Sequence, residues 1–213
     1  MIRLYDYWRS SAAYRVRIAL NLKGVAYESL PVNIAPGADE QLSDTYRTVN
    51  AQMRVPTLEM DGRRAGQSMA ILEWLEETFP DPAILPADPW ARLQARSFAD
   101  TIACDIHPIN NLSILNALRT DFGADNAAVV RWYHDWVRRG FEALESFAAA
   151  HGTGDFLFGD TPSIAEIALV PQVSNARRYK MDLSAFPALV ALDARCLELD
   201  AFQRATPEAN RPA

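Results

Sequence analysis

Two adjacent hydroxyls, Ser10 and Ser11, stand between Trp8–Arg9 and a run in which arginines interrupt an apolar helical pattern, in the stretch WRSSAAYRVRIAL (8–20). A serine at a helix start can cap unpaired backbone N–H groups, contributing about 1 kcal/mol. It can also donate its proton to an anion that the helix dipole and the first N–H groups already favour. Two consecutive serines allow both jobs. Gln67–Ser68 pose the same choice at a later helix start, between plain capping and the grip of a carboxylate. Val55–Pro56 adds main-chain groups. A proline opening a strand is either an ordinary trans residue or, with a cis bond, a way of leaving the preceding residue's backbone groups to a ligand. Together the three starts suit one extended, peptide-like molecule.

The elements that must position these groups follow from periodicity and punctuation. IRLYDY (2–7) reads as a strand, and the serine pair opens a helix that runs to Lys23 and stops at Gly24. YESLPVN (27–33) reads as a second strand, followed by a Pro36–Gly37 loop and a polar helix over 39–48. VPTLEM (55–60), Asp61–Gly62 and the short segment after them form a hairpin, because Asp-Gly suits the two-residue turn that matches strand twist. A helix over 67–78 completes βαβαββα for residues 1–80, and FPDPAILPADP (79–89), with its four prolines, places a linker at 81–89. Residues 90–213 carry helical signals, over 90–119, 125–150, from Ser163, and over 186–201, with the last residues irregular. Ser163 and Glu166 make a capping box ahead of an apolar run. Fold class is therefore α/β plus all-α.

Arg15 and Arg17 lie two residues apart on the first helix, point in different directions and cannot both face one ligand. Arg15 is expected to buttress the ligand loop, and Arg17 to pair with carboxylates of the second domain or of a partner subunit.

Composition narrows the function classes. The 213 residues are 49% apolar and 23% charged, and no apolar run approaches a membrane span. Net charge is −6 with basic residues scattered, which disfavours nucleic acid, although local arginines can still hold a small anion. Cys104 and Cys196 are too few for a disulfide framework, and MIRLYDYWRSS lacks the pattern of a signal peptide, so a cytoplasmic protein with free thiols is expected. The three histidines keep no metal-ligand spacing.

The chain resembles the zeta class of glutathione transferases along nearly its whole length. In the first half the resemblance rests on RSSxxxRVRIAL (9–20), LKGVAYE (22–28), VPTLEMDG (55–62), QSMAILEWLEE (67–77) and ILPADP (84–89). In the second it rests on HPINNLSIL (107–115), ALVPQVSNARRYKMDLS (168–184) and FPALVALDARCLELDAFQRATP (186–207). It implies a thioredoxin-like domain that binds glutathione, an all-helical domain that supplies the second substrate's pocket, a homodimer, and a cis peptide before Pro56. Ser10 matches the family's catalytic serine, with Ser11 beside it. Ala12 replaces the cysteine that often follows, so chemistry relying on that thiol is absent. By position, glutathione contacts are implied for Ser10, Ser11, Gln41, Val55, Gln67, Ser68, His107, Asn111 and Ser113, and substrate carboxylate contacts for Arg9 and Arg178.

The activity implied is glutathione-dependent cis–trans isomerisation of a maleyl keto acid in aromatic catabolism, with maleylacetoacetate favoured over maleylpyruvate. Conjugation or dehalogenation of electrophilic acids is a second class, and a non-enzymatic module on the same fold a third. A thiol with a pKa near 8.5 needs a fall of about two units, or about 2.7 kcal/mol, to be mostly ionised at neutral pH. A hydrogen bond to a charged acceptor gives roughly 1.5–3 kcal/mol and a helix N-terminus roughly 0.3–1, which suffices without a histidine base.

Overall fold

The computed structural model describes residues 1–152 and 154–212, and its chain falls into two units, Met1–Ile84 with Leu197–Ala213, and Leu85–Cys196. The first unit is built on β1 (Ile2–Asp6), β2 (Tyr27–Pro31), β3 (Thr57–Met60) and β4 (Arg63–Gly66), arranged β2-β1-β3-β4. β1 and β2 run parallel, as their link through a helix requires, while β3 and β4 are antiparallel neighbours. Asp61 and Gly62 both take positive φ, 52° and 76°, which the tight turn between β3 and β4 demands.

α1 (Ser11–Leu22) buries almost its whole surface from Ala13 to Leu20, and α3 (Ser68–Thr78) packs Ile71, Leu72 and Leu75 inward. Between β2 and β3 the expected single helix is a 3₁₀ turn (Glu40–Leu42) followed by α2 (Asp44–Val49). Ser43 divides them, because its side chain accepts from Tyr46 N–H and so starts a new helix. Lys23 closes α1 with its ammonium buried against Glu76 and the carbonyls of Phe79 and Pro82, which satisfies backbone groups left over where α3 ends.

The second unit is helical. Asp88 caps α4 (Pro89–Asp100) through Ala91 N–H. The long helix expected over 90–119 is interrupted: α4 passes into a π-turn (Thr101–Ile106), then a 3₁₀ turn (Pro108–Asn110), and α5 (Leu112–Thr120) starts afresh. Pro108 has no N–H to continue the ladder, and Asn111 caps the new helix by accepting from Ile114 N–H. α6 (Asn126–His151) buries Val129, Tyr133, Val137, Phe141, Leu144 and Ala148, one stripe at helical spacing. α7 (Ile164–Arg178) is buried on every side from Ile164 to Val173. Its capping box forms as the sequence predicts, and Glu166 also accepts from Leu157 N–H at 2.8 Å. α8 (Pro187–Cys196) ends earlier than expected, and a short α9 (Asp200–Gln203) follows separately. No helix among the described residues is long and apolar enough to cross a membrane.

Residues from Leu197 onward group with the sheet, where the sequence placed them in the helical half. Asn21 donates to Ala201 O at 2.9 Å and Arg17 to Ala205 O at 3.0 Å, which draws the tail onto α1. A 3₁₀ turn (Glu208–Asn210) stands where irregular chain was expected.

Gly140 on α6 admits Ile106 of the π-turn: a Cβ built at Gly140 would lie 2.3 Å from Ile106 Cδ1, and Ile106 is buried. Gly140→Ala is expected to lower unfolding free energy by about 1–3 kcal/mol in urea titrations. Combined with Ile106→Ala, the total loss should fall short of the two single losses added together.

Candidate active site

Sheet register gathers the chemistry of the first unit. Tyr5 pairs with Thr57 and Thr57 with Gly66, so β1 finishes, β3 begins and β4 finishes at one end of the sheet. Ser10, Val55–Pro56 and Gln67–Ser68 adjoin those three termini. β2 runs parallel to β1, so the connection that carries Gln41 also leaves from this end.

Ser10 is the N-cap of α1, and its Oγ accepts from Ala13 N–H at 3.2 Å. A hydroxyl has two lone pairs and one proton, so capping leaves the proton for another acceptor. Ser11 is the first helical residue and is buried, whereas Ser10 is half-buried. Ser10 is thus the more accessible hydroxyl.

The Val55–Pro56 peptide is cis. Neither the N–H nor the C=O of Val55 makes a hydrogen bond among the described residues. The flanking segment is fixed by Tyr46 and Asn50, whose side chains both donate to Arg54 O and both bond Thr57 Oγ1. Gln67 holds φ at 68°, a strained value for a residue with a side chain, and its amide donates to Gln52 Oε1 at 2.9 Å. Ser68 is buried and its Oγ accepts from Arg15 at 3.2 Å, which braces the start of α3. Gln41 Oε1 is buried with no hydrogen-bond partner among the described residues.

Arg17 corrects an expectation. Its carboxylate partner is neither in the second unit nor in another subunit but is Asp6, the last residue of β1. One Arg17 nitrogen lies 2.7 Å from each Asp6 oxygen, another donates to Trp8 O at 3.0 Å, and Nε donates to Ala205 O. Burial pushes the Asp6 carboxyl above the usual carboxylate range, and the Arg17 charge and hydrogen bonds pull it back. Arg9 is exposed, its guanidinium 4.4 Å from the Trp8 ring centroid.

In the helical unit, His107 follows the π-turn and donates its backbone N–H to Ile102 O at 2.9 Å. Asn111 is engaged in capping, its Oδ1 accepting from Ser113 Oγ at 2.6 Å as well as from Ile114 N–H. Asn110, which the sequence reading passed over, is buried with both amide atoms lacking hydrogen-bond partners among the described residues. Arg177 is paired with Asp193, whereas Arg178 is exposed and rests 5.5 Å from the Tyr179 ring centroid. Tyr179 is stacked on Tyr133 at 4.0 Å. Cys104 and Cys196 are not joined in a disulfide, and burial pushes the Cys196 thiol far above its usual range. The described residues contain no group of three His, Cys, Asp or Glu able to hold a metal.

Residues 4–83 match the glutathione S-transferase N-terminal domain and residues 131–192 its C-terminal domain. A maleylpyruvate isomerase from a Ralstonia species is 49% identical over 209 residues, covering 98% of each chain. The holo structure of maleyl pyruvate isomerase, a bacterial zeta-class glutathione S-transferase, aligns with a TM-score of 0.96 at 48% identity over 99% of both chains. A maleylacetoacetate isomerase from Methylobacterium extorquens AM1, crystallised with malonate and glutathione, aligns with a TM-score of 0.94 at 36% identity, over 99% of this chain and 100% of that one. The chain belongs to the glutathione S-transferase family, in its zeta class, with a thioredoxin-like first domain and a helical second.

Arg17→Met leaves Asp6 buried without its cation, a loss of about 3–5 kcal/mol for pairs of this kind. Urea unfolding of Arg17→Met is expected to show it, with Arg17→Met/Asp6→Leu recovering most of the stability.

Proposed function

We propose that the chain catalyses glutathione-dependent cis–trans isomerisation of a maleyl keto acid, maleylacetoacetate to fumarylacetoacetate, in the breakdown of aromatic compounds such as tyrosine. The carrying observation is the Ser10 hydroxyl at the start of α1, whose proton the cap does not use. The isomerase names of full-length relatives support the same reading.

The residues present fit glutathione. Val55 offers an unpaired main-chain donor and acceptor to a peptide, Ser68 offers a hydroxyl proton to a carboxylate, and Gln41 has an orphaned oxygen. When bound, glutathione supplies the sulfur that adds to the cis double bond and leaves after rotation, so that it is not consumed. Ser10 donates to that sulfur, and with the α1 N-terminus it meets the roughly 2.7 kcal/mol that ionisation at neutral pH demands. Gln41, Val55, Gln67 and Ser68 hold the tripeptide, with Ser11 at the helix start behind Ser10. In the helical unit we assign further glutathione contacts to His107, Asn111 and Ser113. Arg9 and Arg178, both exposed and each resting on an aromatic ring, take the substrate's carboxylates.

Maleylpyruvate is the second substrate reading, favoured by the names of the Ralstonia relative and of the holo structure. Conjugating and dehalogenating activity on electrophilic acids would use the same sulfur. A non-enzymatic module would have no use for the polar groups kept at Ser10, Val55 and Ser68.

The test is an assay with maleylacetoacetate, maleylpyruvate and a chlorinated acid, each with and without glutathione. Isomerisation is expected only with glutathione, fastest for a maleyl keto acid. Ser10→Ala should cut kcat about ten- to hundredfold and raise the pKa of bound glutathione, read from its ultraviolet thiolate band. Turnover close to wild type in that variant would remove Ser10 from the role.

The same reading takes the protein as a cytoplasmic homodimer. Trp90 and Leu93, 67% and 53% exposed, lie three residues apart on α4 and present one apolar face. Sedimentation should give twice the chain mass, and Leu93→Arg should shift it towards the monomer.

A further inference from the structure

Two guanidinium groups lie over the indole that precedes the serine pair. Arg9 sits 4.4 Å and Arg211 5.5 Å from the Trp8 ring centroid, so the two cations are within about 10 Å of each other. Both residues are exposed, and neither has a carboxylate partner among the described residues, unlike Arg3, Arg17, Arg64, Arg177, Arg195 and Arg204. An arginine resting on a ring spends none of its N–H donors there, since the attraction is to the ring's quadrupole. All five remain for an anion, in the fork that matches a carboxylate.

Arg211 is held in this place by the fold. Buried Arg17 donates to Trp8 O and to Ala205 O, each at 3.0 Å, so one side chain fastens the site loop and the tail together. Beyond Ala205, Asn210 donates to the carbonyls of Arg204 and Thr206 at 2.8 Å each, and the 3₁₀ turn ends immediately before Arg211.

We propose that Arg211, with Arg9, forms a carboxylate-binding pair across Trp8 that reads the second carboxylate of a short dicarboxylic acid, and so helps set substrate specificity. The identity of the natural acid rests on the isomerase reading given above; the anion pair itself does not. Two cations no more than about 10 Å apart are close enough for the two ends of a short dicarboxylate to reach both, whereas a monocarboxylate engages one of them.

Calorimetric titration of the full-length protein with malonate, at saturating glutathione, tests the pair. Relative to wild type, Arg211→Met is expected to weaken malonate binding about three- to fivefold, the upper range for an exposed ion pair. Arg211→Lys should keep part of the affinity. Arg204→Met removes the same charge from the same tail and should bind malonate as wild type does. Acetate should distinguish Arg211→Met from wild type much less than malonate does, and KM for the keto acid should rise in step with the malonate Kd while glutathione affinity stays constant. Equal malonate affinity in wild type and Arg211→Met, no malonate binding by wild type, or a parallel loss of malonate and glutathione affinity would each overturn the proposal. A chain with no isomerase activity but an intact malonate effect would sink the isomerase reading and leave the pair supported.

Discussion

The guanidinium of Arg17, shut inside the sheet unit, holds together the parts on which the site depends. Its four hydrogen bonds reach the last residue of β1, the carbonyl of Trp8 and the carbonyl of Ala205. A buried charge that loses its counter-ion leaves several kcal/mol of uncompensated desolvation. These four bonds form together only when strand, loop, helix and tail all occupy their places. The loop from Tyr7 to Ser10 is therefore fixed by the same constraint that keeps the core intact, and the Ser10 hydroxyl inherits that rigidity.

Around this anchor the molecule separates polar groups that are satisfied from polar groups that are not. Lys23 and Glu166 are buried and surrounded by hydrogen-bond partners. At one end of the sheet, by contrast, the Val55 main chain and Gln41 Oε1 are left without partners among the described residues. Unpaired groups are costly when nothing meets them, and these two belong to the end of the sheet at which the proposed glutathione contacts gather, as the orphaned Asn110 amide belongs to the helical unit. Arg15 contributes to that end by donating to Ser68 Oγ.

What could be read from the sequence was mostly what is local. The βαβαββα order, the Asp61–Gly62 turn, the capping box at Ser163 and Glu166, and helix starts at Ser10 and Ser68 are decided by residues a few positions apart. The break inside 90–119 escaped because apolar periodicity continues across it, although Pro108 and Asn111 carried the signal. Arg17's partner escaped for a different reason: a sequence shows that a buried arginine needs a carboxylate and does not show which one folding brings to it. The return of the tail depends on a hydrogen bond between residues 188 positions apart. Of the candidate site, the groups at helix and strand starts were legible, whereas Arg211 beside Trp8 is a product of that return and has no local signature.

The contact between Arg17 and Ala205 also has a consequence for biosynthesis. The strands of the sheet leave the ribosome early, yet one acceptor of the buried guanidinium lies 188 positions further along the chain. Until that stretch is made, the sheet unit waits in an unfinished state, with Arg17 Nε still hydrated or unmatched. Maturation of the earliest-made unit is thereby tied to synthesis of residues 197–205, and a product truncated before them would lack the fastening of its own N-terminal half.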